Sequence, residues 1–200
     1  MTEPSGPDHP ISFGWGRFWF AVLSNDGQRI ASELRLQNIR LSNWAEGLKA
    51  SLQDNWVFIS PQVGGWSLVV GDSLPSPPRD ECLGLLTDLS MVFKEAQCFG
   101  TEDVTELHSW ARAENGRLRR AYAFSGEQGA VLWDRGPLTQ EEGDLGLFFP
   151  EAGILSHSPD SASVFRIAGL WSLDPSRLDE FDCVRGVGQL GQVYQHVRLR

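Results

Sequence analysis

Residues 107–124, LHSWARAENGRLRRAYAF, set two strand-like runs on either side of Asn115-Gly116. A two-residue type I′ turn needs positive φ at both central positions, and Asn-Gly accepts this at low cost, so the stretch predicts a tight antiparallel hairpin. Pairing outward from the turn puts Glu114 opposite Arg117, Trp110 opposite Ala121 and Leu107 opposite Phe124. In that register Leu107, Ala111, Ala113, Leu118, Tyr122 and Phe124 form the core side. Glu106, His108, Trp110, Arg112 and Arg119 fall on the other side, which reads as a mixed polar and aromatic surface. A second turn, Ser125 to Gly129, leads into Ala130-Val131-Leu132-Trp133 and makes a three-stranded meander.

Outward from the meander, short elements follow one another through turns. Phe13–Leu23 and Arg29–Leu36 read as strands joined at Ser24-Asn25-Asp26-Gly27, an opening hairpin. Trp15 and Trp19 then share a side with Phe13 and Arg17, a stripe expected to pack inward. Ser42 can cap a short helix through Leu52, with Trp44, Leu48 and Leu52 along one side. Trp56–Ile59 and Trp66–Val70 are apolar runs parted by Pro61 and Gly64-Gly65. The stripe Leu83, Leu86, Leu89, Val92 and Phe93 predicts a helix from Asp80 to Glu95. Thr139 with Glu142 fits a capping box, Ser158-Pro159-Asp160 starts a helix over 160–171, and Val193–Leu199 reads as a strand. The predicted class is α+β: an antiparallel, meander-rich sheet with two or three helices packed on it, in one domain over 11–200 behind a flexible arm at 1–10. Short turns between strands argue against a doubly wound parallel sheet.

With 41% hydrophobic residues among 200, the chain can bury a core of its own, which excludes a disordered tail, a collagen-like rod and a coiled coil. The net charge of −9 disfavours general binding to nucleic acid or to an anionic membrane surface. Cys82, Cys98 and Cys183 lie far apart in no metal-ligand spacing, so they read as buried thiols of a reducing compartment. MTEPSGPDHP has no basic residue to begin a secretory leader, and the run from Ile11 to Leu23 is shorter than the roughly 18 residues a span needs. The expected setting is cytoplasmic, with no membrane partner.

Catalytic grammar is sparse. No nucleophile elbow, zinc-protease or Walker pattern occurs, and neither a cofactor nor a metal is implied. Gly186-Val187-Gly188-Gln189-Leu190-Gly191 has GxGxxG spacing, but only nine residues follow it, too few for the helix and acidic residue of a dinucleotide site. His108 is the one histidine inside a well-defined element. Between Glu141 and Asp182 nine acids stand against Arg166 and Arg177, with Asp174, Asp179, Glu180 and Asp182 the densest group. Such a region would steer a basic partner. Trp110, Arg112 and Arg119 are of residue types enriched at interface hot spots and complete the expected partner-binding set.

The segments GWSLVVGDSLP, FKEAQCFGT, HSWARAENGRLRRAYAFSGEQG, LTQEE and IAGLWSLDPSRL together resemble a group of uncharacterised bacterial single-domain proteins of the toxin-neutralising immunity type. The resemblance spans roughly residues 56 to 178. It implies a mixed sheet-and-helix domain in the bacterial cytoplasm whose partner is a cognate antibacterial toxin, and it brings no catalytic motif. Two other readings remain beside it. One is a small-molecule enzyme with a site around His108, Trp110, Arg112 and Arg119, and the other is a self-associating scaffold subunit.

Overall fold

The computed structural model describes residues 6–147, 158–181 and 185–193. In chain order the strands are β1 (Phe18–Val22), β2 (Gln37–Ser42), β3 (Trp56–Ile59), β4 (Ser67–Val70), β5 (Glu95–Glu102), β6 (Leu107–Glu114), β7 (Arg117–Ser125), β8 (Ala130–Arg135) and β9 (Gly188–Gln192). The helices are α1 (Gly27–Glu33), α2 (Trp44–Ala50), α3 (Asp80–Phe93), α4 (Gln140–Asp144) and α5 (Ser161–Trp171), with a 3₁₀ helix, η1, at Pro175–Glu180. The nine strands form one antiparallel sheet in the order β2-β9-β3-β4-β1-β5-β6-β7-β8. The class is therefore α+β, with more helices than the two or three expected.

Helices cover both faces of this sheet. On one side α2, α5 and η1 bury Trp44, Leu48, Phe165, Ile167, Trp171 and Leu178 against Trp19, Phe99, Trp110 and Tyr122. On the other, α1 and α3 bury Ile30, Leu83, Leu86, Leu89 and Phe93 against Phe20, Val57, Ala96 and the alanines of β6 and β7. Antiparallel sheets commonly keep one face wet, and that assumption underlies the predicted polar face of β6. In the alternation of large and small side chains, His-Ser-Trp-Ala-Arg-Ala, Trp110 belongs to one buried face and Ala111 and Ala113 to the other.

The Asn115-Gly116 turn forms as expected, with φ of 49° and 73°. Two pairs beyond it the register shifts: Ala113 faces Leu118, but Arg112 faces Arg120, so Arg119 is the extra residue of a bulge. Trp110 consequently faces Tyr122, not Ala121, and His108 faces Phe124. A one-residue slip moves every later side chain to the other face, and here it turns Arg120 inward and Tyr122 toward Trp110. The rings of Trp110 and Tyr122 stack at 4.8 Å.

Two further expectations are corrected. Arg29–Leu36 is not a strand: Asp26 accepts a hydrogen bond from the Arg29 amide and starts α1, and the edge strand follows as β2. Trp15 lies in a turn, 62% exposed, and only Trp19 of that pair is interior. The glycine-rich segment near the C-terminus is β9, between β2 and β3. A Cβ at Gly188 would lie 2.0 Å from the Ile59 carbonyl oxygen, so the glycine serves close strand approach, as a strand glycine often does. The strand expected at Val193–Leu199 falls almost wholly outside the described residues.

Gly136, just past β8, tests the bulge. Its φ is +80°, and a Cβ there would lie 2.1 Å from the Arg119 carbonyl oxygen. Gly136→Ala is expected to cost about 2 kcal/mol or more in urea unfolding, from backbone strain and overpacking together. Gly129→Ala, at φ +58° in open space, should cost about 1 kcal/mol. Equal costs would remove the bulge contact as the cause.

Candidate functional site

The expected site residues do not assemble on one surface. Trp110 is fully buried; its indole N–H donates to Glu142 Oε1 at 2.7 Å, so it cannot anchor a partner in this fold. Arg112 is half-buried, with Nε 2.7 Å from Glu95, Nη2 3.1 Å from Glu114, and its guanidinium 6.0 Å from the Trp171 ring. Arg119 stands in the bulge, paired with Glu114 at 3.1 Å. His108 is buried, and its Nδ1 lies 3.2 Å from Thr101 Oγ1, which in turn lies 2.6 Å from Ser161 Oγ at the start of α5. Of the predicted polar face, His108 and Trp110 thus line the core, Arg112 is half-buried, and Glu106 and Arg119 remain exposed.

What the sequence missed there is Arg120. It is 1% exposed and aims Nε at both oxygens of Glu142, 2.9 Å each, while Nη1 reaches Asp134 at 2.5 Å and the Gly136 carbonyl at 3.1 Å. Glu142 is itself fully buried and completes the predicted capping box, accepting from the Thr139 amide at 2.8 Å. One carboxylate therefore gathers the α4 N-terminus, the Trp110 indole and the Arg120 guanidinium. The same burial, with Asp134 beside it, raises the Tyr122 hydroxyl pKa.

The acidic residues lie elsewhere, around η1. Asp174 caps that helix through the Ser176 amide and hydroxyl, 2.9 and 2.7 Å away. Asp179 bonds to Ser12, and Glu180 pairs with Arg177 at 2.5 Å, which keeps its carboxyl below the usual range. Asp182 lies outside the described residues. Glu180, but not Asp179, lines a surface cleft of about 570 Å³ between α5, η1 and the end of α4. Leu145, Phe165, Leu170, Leu173 and Phe181 line it, and Arg166, Asp174, Arg177 and Glu180 form its rim. Leu170 is 56% exposed and Phe181 40%. Trp15 lies against this wall, its ring 4.5 Å from Phe165 and edge-on. Six of the eight residues Val164–Trp171 are apolar, more than one buried stripe requires, and that excess was the available signal for a second apolar face on α5.

Among the described residues no group of His, Cys, Asp and Glu could hold a metal ion, and no helix is long and apolar enough to cross a membrane. No family model, curated protein or solved structure matches the chain.

Glu142→Ala leaves the buried Arg120 guanidinium with only the half-exposed Asp134 as counter-ion and is expected to cost about 3–5 kcal/mol in urea unfolding. The double variant Arg120→Met/Glu142→Leu should cost less than half the sum of the two single changes, because neither charge is then left unpaired; simple additivity would contradict this account. For His108, burial holds the pKa below 6.5 and outweighs the opposing charges of Asp160, Asp103 and Glu106. The folded state thus favours neutral imidazole, so its contribution is complete above the ordinary value and is lost as pH falls through the lower folded-state value. Stability should fall as the pH is lowered below 6.5, and His108→Gln should flatten that slope. An unchanged slope would remove His108 as its source.

Proposed function

We propose that this protein is an immunity-type binding protein, which seats a cognate antibacterial toxin on the cleft between α5 and η1 and blocks it by occupying its surface. The observation that carries the reading is the make-up of that cleft: apolar Phe165, Leu170 and Phe181 beside the charged Arg166 and Asp174 and the Arg177–Glu180 ion pair. Protein interfaces share this anatomy, with a desolvated apolar centre giving affinity and a polar rim giving register. The net charge of −9 adds long-range attraction for a basic partner. Of the nine acids between residues 141 and 182, Glu142 is consumed in the core and Asp160 and Asp174 in helix caps, whereas Asp179 and Glu180 stand exposed on η1, where they contribute to steering. Trp110, first expected as an anchor, is replaced in that role by Leu170 and Phe181. The resemblance to toxin-neutralising proteins supplies the class of partner.

Co-expression with the toxin encoded beside this gene is expected to yield a stoichiometric complex. Leu170→Asp should weaken it by about tenfold or more, mainly through faster dissociation. The double change Asp179→Lys/Glu180→Lys should slow association severalfold at low salt and little at high salt. Absence of a complex, or a complex indifferent to both changes, would overturn the assignment.

A further inference from the structure

A second pocket, of about 270 Å³, opens where β1 begins and β4 ends. Trp19 pairs with Val70 and the strands run antiparallel, so extending the register sets Arg17 opposite Asp72. Both line the pocket, between walls from Phe18, Phe20 and Leu74, with the Ser76 hydroxyl at its side. Among the described residues the Arg17 guanidinium has one hydrogen-bond acceptor. Its Nη2 donates to Ser51 Oγ at 2.8 Å, and Ser51 spends its own proton on the Leu48 carbonyl at 2.8 Å. The Nε is buried and has no acceptor, and no ion pair within 4.0 Å joins this guanidinium to Asp72 or to any other acid among the described residues. Arginine forks in folded proteins ordinarily meet a carboxylate, because a partly desolvated cation is costly without one.

Two opposite charges therefore line one small pocket without closing on each other. A dianion such as phosphate is disfavoured, since Asp72 lies beside the cation. A simple carboxylate would satisfy Arg17 and leave Asp72 as a like-charge neighbour. A ligand with an anion and a cation one carbon apart satisfies both, and the aromatic and aliphatic walls leave room for a short apolar side chain. The geometry points to this pocket as a binding site for a small zwitterionic α-amino acid, its carboxylate on Arg17 and its ammonium toward Asp72.

The test titrates the full chain with L-valine, isobutyrate, isobutylamine and inorganic phosphate, read by calorimetry and by amide shifts of Gly16, Gly71 and Ser76. L-Valine is expected to bind and shift those amides, with isobutyrate about threefold to tenfold weaker and the other two weaker still. Asp72→Asn changes an exposed side chain and should fold normally while erasing the preference of L-valine over isobutyrate. Arg17→Gln should abolish binding of both; if it does not fold, the Asp72→Asn ratio decides alone. No binding by L-valine, tighter binding of phosphate, or an unchanged ratio in Asp72→Asn would overturn the assignment. Titration of the chain alone reads this pocket without any toxin present, and no residue of it lines the α5–η1 cleft, so failure here and failure of the toxin complex are distinguishable.

Discussion

An antiparallel sheet covered on both faces can present side chains to solvent only at its two outer strands and at its strand ends, and this limit governs where the molecule can act. The inner strands β1 and β3–β6 and the far part of β7 are almost wholly buried, so the hairpin is exposed only at its turn end, around Arg117 and Arg119. The surface concavities lie outward, on the covering helices where α5 and η1 part, and at the strand ends where Arg17 and Asp72 line one pocket. The outer strands are poorly suited to recognition. β2 has a register shift between Gln37 and Arg40, and β8 ends in Asp134 and Arg135, both devices that discourage another strand from adding on.

Within the core the price of this arrangement is one buried charge pair. Arg120 and Glu142 are both removed from water, and such a pair brings little net stability over an apolar equivalent. Its effect is positional. Glu142 has to reach Arg120, Trp110 and the Thr139 amide at once, so α4 can dock in one place only, and Leu145 and Leu147 beyond it pack beside α5. The cleft wall thereby depends on the bulge at Arg119, which turned Arg120 inward.

The sequence was most legible where a signal is local. Asn115-Gly116, the Thr139–Glu142 box and the apolar stripe of α3 each act over a few residues, and each produced the element expected. The class of fold followed from the short turns. The bulge was not legible, because LRRAY offers no glycine at the extra residue and both registers bury apolar side chains. Nor was α1: IASELRL alternates well enough for a strand, and the capping role of Asp26 competed with its turn role beside Gly27. The Arg17 pocket was hidden for another reason. Inward packing was expected for the whole Phe13–Trp19 stripe, and nothing in a single sequence shows that Arg17 ends with one acceptor or that Asp72 lies across from it.

The segment Gly14–Arg17 ties the two surfaces together. Gly14, at φ +124°, passes so close to Phe165 that a Cβ would lie 2.7 Å from its ring, and Trp15 closes on the same ring from the edge. Two residues on, Arg17 lines the second pocket. Phe165 is thus a wall of the α5–η1 cleft and also a stop that fixes the backbone leading to Arg17. Sites that share a rigid element of this kind are coupled to the extent that each occupant shifts it, and the coupling is equal in both directions. A partner that moves the Phe165 ring must therefore contend with Gly14, three residues before Arg17. Occupation of the small pocket would hold Arg17, and through it the aromatic wall, in the conformation seen here.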